Sequence, residues 1–374
     1  MRILFSTDQI YLHGGIEKVM AEKANYFADV LNYDVFILTT EQKENAPCYP
    51  LTSKIKRVDI GINYFRKKSY FHPSNFSKIP FHFKQWKKII RTIKPDIIIS
   101  CNYAFDFYWI PYTFKKIPKL KEYHSSRYFE EINRNKGTFL KKLKFISNDF
   151  IESKYSKLIL LNQDEKQYYH TENLEIIPNP ISIPNDKKAS LISKKAITAG
   201  RIAPVKGFEN AILTWKMVVE KNPEWELHIY GQGEANYIAS LQRIIDENQL
   251  QNQVFIKPAV ENFQNTMLGY SLYIMTSHTE CFPMVLLESL SIGLPIVSFD
   301  CPTGPRNIIT DQQDGFLVED QNVEALAEKI LLLANDENLR NVFGLQAKQN
   351  STRFSLNSIM PLWQELFEKL KTKN

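Results

Sequence analysis

Ala196-Ile197-Thr198-Ala199-Gly200-Arg201-Ile202-Ala203-Pro204-Val205-Lys206-Gly207-Phe208 opens the more legible half of the chain. A short β-prone run passes into a loop with glycine beside each of two cations. The same rhythm then repeats, with candidate strands at 226–230, 254–256, 272–275, 296–298 and 316–318 after the first at 196–199, and helices filling the gaps. Strands that alternate with helices form βαβ units, so the expectation is a parallel sheet covered on both faces, with ligands at the carboxyl ends of the strands.

Working outward, the first half carries the pattern less cleanly, with strands at 3–6, 35–38, 96–100 and 158–161 and a helix from about Ile16. The aromatic and basic stretch 64–86 is irregular and reads as loop plus helix, a segment that would order on a partner. Pro178, Pro180 and Pro184 punctuate the stretch 177–188, which reads as an interdomain linker. At 374 residues the chain exceeds what one core supports. The division expected is therefore 1–180 and 181–355. A last helix, 356–370 or to the end at 374, carries Trp363, Leu366, Phe367 and Leu370 on helical spacing and must bury them, most simply against the first domain.

Composition narrows the class. Hydrophobic residues at 44% and charged residues at 24% describe a globular chain rather than a disordered one. No uncharged apolar run approaches the ~20 residues of a membrane span, and the first strand turns polar at Ser6, Thr7 and Asp8, well short of a signal-peptide core. Cys48, Cys101, Cys281 and Cys301 form no C-x-x-C pair, so no zinc site or disulfide framework is indicated, and a reducing, cytoplasmic setting fits. Residues 1–184 hold 29 Lys and Arg against 19 Asp and Glu and the remainder 18 against 22, so the net charge of +6 conceals a basic first half. Its cations cluster with aromatics at 64–71, 84–88 and 141–145, which suits either a solvated face or an anionic membrane surface. No helix-turn-helix or zinc-finger pattern accompanies them, which argues against nucleic acid.

Three stretches bear chemistry. Gly14-Gly15 opens the first helix directly after the first strand, a place where freed N–H groups favour an anion and where a tight connection equally needs glycine. Arg201 and Lys206 stand at the ligand-binding edge of the second sheet; the guanidinium suits bidentate contact with a diphosphate and the ammonium acts as a point charge. The richest stretch runs from His278 to Pro295. Pro283 suits a first helical position, so Glu280 precedes a helix inside which Glu288 sits among apolar neighbours and needs a partner, either paired hydroxyls or an internal salt bridge. The N–H groups of Met284 and Val285 would face a phosphate.

Together, TECFPMVLLESLSIGLPIVSFD with its E-x₇-E pair, GRIAPVKGFENAI, HGGIEKV and GPRNIITDQQDGFLVED resemble the family-four retaining glycosyltransferases. The resemblance implies an α/β GT-B fold of two facing Rossmann-like domains with parallel sheets and an interdomain cleft, the first domain binding the acceptor and the second the donor. It implies that Arg201 and Lys206 neutralise the donor diphosphate, that Glu288 holds the ribose and that Glu280 orients the transferred sugar. Gly14 and Gly15 would cap the phosphates. Phe282, Pro283, Met284 and Val285 would line the donor, with the backbone from Lys257 to Val260 holding the base. His124, in LKEYHSS, occupies the place where the family often carries a histidine near the reacting sugar. Asn307 departs from the acidic residue that often follows Gly-Pro-Arg there, which bears on the donor contacts.

The expected reaction is metal-free retaining transfer of a hexosyl or N-acetylhexosaminyl unit from a nucleotide sugar, UDP-linked by resemblance, to a glycan or lipid-linked acceptor of a surface polysaccharide. No D-x-D triplet or hard oxygen cage for Mg²⁺ is present in the sequence, and no further cofactor is expected. The enzyme would be cytoplasmic, peripheral on the inner face of the cell membrane. A nucleotide-sugar epimerase, a phosphorylase, and a catalytically silent glycan-binding or scaffold partner on the same fold are the rival readings; the last usually lacks the basic loop or the glutamate pair.

Overall fold

The computed structural model describes residues 1–101, 105–134, 136 and 138–372, with only the backbone at 140 and 141. Lys373 and Asn374 of the expected last helix, and the side chain of Lys141 in the basic run, lie outside the described residues. Two compact units are present, one made of Met1–Pro180 and Leu356–Asn374, the other of Ile181–Ser355.

The first unit runs β1 (Arg2–Thr7), α1 (Gly15–Asp29), β2 (Asp34–Thr39), β3 (Lys56–Asp59), α2 (Pro73–Phe76), α3 (Ile79–Ile93), β4 (Ile97–Ser100), β5 (Lys119–Glu122), α4 (Tyr128–Arg134), α5 (Phe139–Glu152), β6 (Lys157–Leu160) and β7 (Leu174–Ile176). The strands form one parallel sheet in the order β3-β2-β1-β4-β5-β6-β7. A strand's side chains alternate between faces, and here both faces are apolar. Ile3 and Phe5 of β1 join Ile97, Ile99 and Ile159 on one face, while Leu4, Ile98, Leu158 and Leu160 serve the other. The first face is covered by Met20, Ala24 and Phe27 of α1 and by Ile359, Trp363 and Phe367 from the chain's last helix, whose buried side chains recur at helical spacing. The Phe27 and Phe367 rings lie 5.4 Å apart. Trp86 and Ile90 of α3 and Ile151 of α5 cover the second face.

The stretch 64–86 corrects an expectation: it orders on its own unit. Buried Asn75 accepts from the Phe65 N–H at 2.8 Å and donates to the Ser69 carbonyl at 3.0 Å, while His82 and Trp86 are fully enclosed. β3 and β7 escaped the sequence reading because they are edge strands. β3 is Lys-Arg-Val-Asp, mostly exposed, with no apolar signature to read.

The second unit runs β8 (Lys195–Ala199), α6 (Phe208–Lys221), β9 (Glu226–Tyr230), α7 (Ala235–Glu247), β10 (Val254–Lys257), α8 (Phe263–Met267), β11 (Leu272–Met275), α9 (Met284–Ser291), β12 (Ile296–Phe299), β13 (Gly315–Val318), α10 (Val323–Asn335) and α11 (Glu337–Ser351), before α12 (Leu356–Lys371) returns to the first unit. Its parallel sheet has the order β10-β9-β8-β11-β12-β13. Strands are added on one side of β8 up to β10 and then on its other side from β11. The loops leaving β8 and β11 therefore diverge, and the crevice outside their carboxyl ends is where open α/β sheets bind ligands.

Candidate functional site

The site of the second unit is built on that switch point. After β8 the chain turns through a short 3-10 stretch, Pro204–Lys206, and enters α6 through Gly207, whose φ of +58° favours glycine. The turn is packed hard against the end of β11: a Cβ on Gly207 would stand 2.2 Å from the Thr276 carbonyl oxygen, and the His278 N–H donates to the Val205 carbonyl at 2.9 Å. The loop after β9 closes on it from the other side. A Cβ on Gly231 would lie 2.0 Å from the Gly200 carbonyl oxygen, and the Ile202 N–H donates to the Gln232 carbonyl at 2.7 Å.

This frame brings Lys206 and Glu280 together. Lys206 Nζ donates to Glu280 Oε1 at 2.5 Å, and the Ser277 hydroxyl donates to the same oxygen at 2.7 Å. The Glu280 backbone is itself pinned by a two-way bridge to the loop after β12, its N–H donating to the Pro302 carbonyl at 2.8 Å and its carbonyl accepting from the Thr303 N–H at 2.7 Å. Beside the pair, the Tyr273 hydroxyl lies within 3.3 Å of both the N–H and the carbonyl oxygen of Ala199. Burial raises the Tyr273 pKa, and the carboxylates of Glu280 and Glu288 raise it further, so this neutral hydroxyl feels both acids of the E-x₇-E pair. Burial also raises the Cys301 thiol, with Glu280 adding to the rise and Lys206 opposing it.

Arg201 is exposed at the end of β8, next to Gly200, along whose backbone the Lys206 side chain is laid. Among the described residues it makes no ion pair. Glu288 is buried within α9. Phe282, Pro283 and Met284 are buried at the start of that helix, and Val285 is half-buried. Pro283 caps the helix rather than occupying its first turn, and no side chain caps it, so the leading N–H groups are left for another acceptor. Val260 is exposed on the loop after β10, two strands from β8 along the same edge. Asn307 donates from its side-chain amide to the Thr303 carbonyl at 2.7 Å and so braces the loop that pins Glu280.

The remaining candidates belong to the first unit. Gly14 caps α1 in an extended conformation, and Gly15 is exposed beside it. The Glu17 carboxyl, raised in pKa chiefly by burial, accepts its own backbone N–H and lies 2.5 Å from Gln9 Nε2, so part of that helix terminus already has an internal acceptor. His124 follows β5. Its Nε2 lies 2.9 Å from Glu122 Oε2, and Glu122 Oε1 accepts from Lys23 Nζ at 2.5 Å. Burial opposes the Glu122 charge, yet Lys23 and His124 hold its pKa down to about 2. Burial lowers the His124 pKa against the pull of Glu122, which leaves a neutral ring with one nitrogen committed to the carboxylate.

Sequence reasoning missed Ser277, Tyr273 and Thr303. It also missed the Gly231-Gln232-Gly233 turn, although two glycines directly after a strand signal a close backbone approach.

The comparisons with known proteins agree with this architecture. Residues 182–350 match the model described as Glycosyl transferases group 1, and residues 13–183 the model described as Glycosyltransferase Family 4. An uncharacterized glycosyltransferase of Haemophilus influenzae is 26% identical over 361 residues, covering 94% of this chain and 95% of that one. The poly(glycerol-phosphate) alpha-glucosyltransferase of Bacillus subtilis is 29% identical over 247 residues, 65% of this chain and 35% of its own length. A mutant of S. aureus TarM, crystallised with fondaparinux, α-GlcNAc-glycerol and UDP, shares the fold at 19% identity, with a TM-score of 0.78 over 98% of this chain and 99% of that one. With two parallel sheets in the observed order and family models running from residue 13 to residue 350, the chain belongs to the family-four glycosyltransferases of the GT-B fold.

Proposed function

We propose that the protein is a retaining, metal-independent hexosyltransferase that moves a hexosyl or N-acetylhexosaminyl unit from a UDP-sugar to a glycan or lipid-linked acceptor of a surface polysaccharide, working peripherally at the cytoplasmic face of the membrane. The observation that carries this reading is the bonded Lys206–Glu280 pair at the switch point, with the exposed Arg201 beside it. Breaking a sugar–phosphate bond leaves charge on the departing diphosphate, and fixed cations stabilise that charge as it develops. Arg201 and Lys206 take the electrostatic part a metal plays elsewhere, and the free N–H groups at the start of α9 add to it. Glu280 is held by Lys206 and Ser277 so that its carboxylate can accept sugar hydroxyls, while Glu288 takes the ribose.

Retention follows by front-face displacement, in which the departing phosphate oxygen accepts the proton of the acceptor hydroxyl. No covalent glycosyl-enzyme forms. Two relatives support this reading: the B. subtilis protein is named for α-glucosyl transfer, and the TarM mutant was solved with UDP and α-GlcNAc-glycerol. UDP-glucose and UDP-N-acetylglucosamine are themselves α-linked, so an α-product means retention. Val260 marks the loop that takes the base, and His124 and the Gly14-Gly15 turn are the first unit's own candidates.

A thermal-shift screen tests the donor, since a ligand that binds only the folded state raises the melting temperature. UDP and UDP-sugars produce the largest shift, and EDTA leaves both shift and turnover unchanged. A larger GDP or ADP shift, or turnover restored only by added divalent cation, overturns the assignment.

A further inference from the structure

Helix α5 carries an apolar stripe on the side away from the core. Phe139, Leu143, Ile146 and Phe150 recur at helical spacing and are 78%, 51%, 62% and 58% exposed. At 100° per residue they fall within one narrow arc, while Ile151 and Glu152 are buried opposite. The neighbouring α4 exposes Phe129 and Ile132. α4 and α5 are held together as one body: Arg134 grips Asp149 through two bonds of 2.7 and 3.0 Å and lies 5.0 Å over the Phe145 ring.

That pairing cancels the acid of α5 nearest the surface and leaves lysines around the stripe. Lys136, Lys142, Lys144 and Lys154 are exposed and make no ion pair among the described residues, with Lys154 Nζ 4.4 Å over the Phe150 ring. Glu130 is the exposed acid of the hairpin. On the same face of the sheet, α3 turns Phe81, Lys84, Lys88 and Arg91 outward.

We propose that the α4–α5 hairpin is the element that docks on an anionic lipid bilayer, its apolar stripe entering the headgroup boundary and its lysines, with the α3 cations, meeting lipid phosphates. An apolar face bordered by lysines matches that interface in both chemistry and charge. A second copy of the chain fits less well. Self-pairing sets the lysines against their own copies, and six apolar side chains fall short of the roughly 20–30 residues per side of a stable interface. The inference deepens the proposed reading of a lipid-linked acceptor by naming the surface that meets the lipid.

The test is co-sedimentation of the full chain with phosphatidylglycerol–phosphatidylcholine vesicles, without any sugar donor. Its failure therefore leaves glycosyl transfer standing, and failure of transfer leaves the vesicle result standing. Wild type pellets with the anionic vesicles and far less with phosphatidylcholine alone. The variant carrying Phe139→Ser, Ile146→Ser and Phe150→Ser keeps its melting temperature and loses binding by roughly tenfold or more. Lys142→Gln with Lys154→Gln binds the anionic vesicles more weakly than wild type at low salt and loses less of that binding as salt rises. A wild type that stays in the supernatant, a triple variant that binds as well as wild type, or a concentration-dependent dimer that the triple variant abolishes overturns the proposal.

Discussion

Lys206 Nζ lies 2.5 Å from Glu280 Oε1 across 74 residues of sequence, so an ion pair joins the loops that diverge after β8 and β11, beside the backbone bond from His278 to Val205. Each side chain positions the other, so on the proposed reading a donor would meet a cation and a carboxylate already set. Glu280→Gln and Lys206→Met should each lower kcat by about 10²–10³-fold, the magnitude of losing one preorganised electrostatic contact. Because the two act as a unit, the double variant should be scarcely worse than the poorer single one. Steady-state kinetics with the best UDP-sugar measures this, and simple multiplication of the two effects would show that the residues act independently.

Arg201 separates binding from stability. It is exposed and without an ion pair among the described residues, so Arg201→Ala should change the stability of the free protein by no more than about 0.5 kcal/mol. The same substitution should weaken UDP binding by about 1.5–3 kcal/mol, the range for hydrogen bonds to charged groups. Calorimetric titration with UDP, set beside the melting temperature of the free variant, reads both.

Gly207→Ala should do the reverse. With φ at +58° and the Thr276 carbonyl oxygen 2.2 Å from the new Cβ, the turn must shift, and left-handed strain with overpacking sums to about 2–5 kcal/mol. Urea unfolding gives the loss. Activity in the surviving folded fraction should fall too, because the shift carries Lys206 away from Glu280.

Acid should weaken the first unit through His82. Burial lowers its pKa from 6.5 to about 4, and its Nδ1 lies 3.0 Å from the Tyr64 hydroxyl. Below pH 6.5 the unfolded chain takes up a proton that the folded chain refuses until about pH 4. The contribution is therefore full above pH 6.5 and disappears as pH falls through about 4, roughly 3 kcal/mol in all. Asp106 runs the other way, since burial raises its pKa to about 6 and the folded state holds that proton more tightly. Comparing wild type with His82→Phe in urea at pH 7.5 and 4.5 isolates the histidine. The wild type should lose more stability between the two pH values, and equal losses would assign the acid sensitivity elsewhere.

What could be read in advance follows where burial is two-sided and the side chains are apolar; β5, central and buried but Lys-Leu-Lys-Glu, carries no such run. β1, β4, β11 and β12 are apolar on both faces, and their runs stand out in the sequence. β3 and β7 lie at the sheet edge, where one flank needs no apolar side chain, and nothing in Lys-Arg-Val-Asp announces a strand. Glu280 and Glu288 drew notice because a carboxylate beside or inside an apolar helix is costly. The bond from Lys206 did not, since only the placement of β11 next to β8 brings those loops together. Ser277 and Tyr273 were silent for the same reason, each an ordinary residue until the topology gives it a neighbour.

The crossing of α12 back to the first unit sets an order of assembly during translation. The stretch 181–355 holds every strand of its own sheet in one continuous piece and can close as soon as it leaves the ribosome. The earlier-made sheet must wait, one face covered only in part by α1, until Ile359, Trp363 and Phe367 emerge to seal it. The segment synthesised second is thus the first able to finish, and a ribosome stalled before codon 356 would release a polypeptide whose opening half still shows its oily interior to chaperones and proteases.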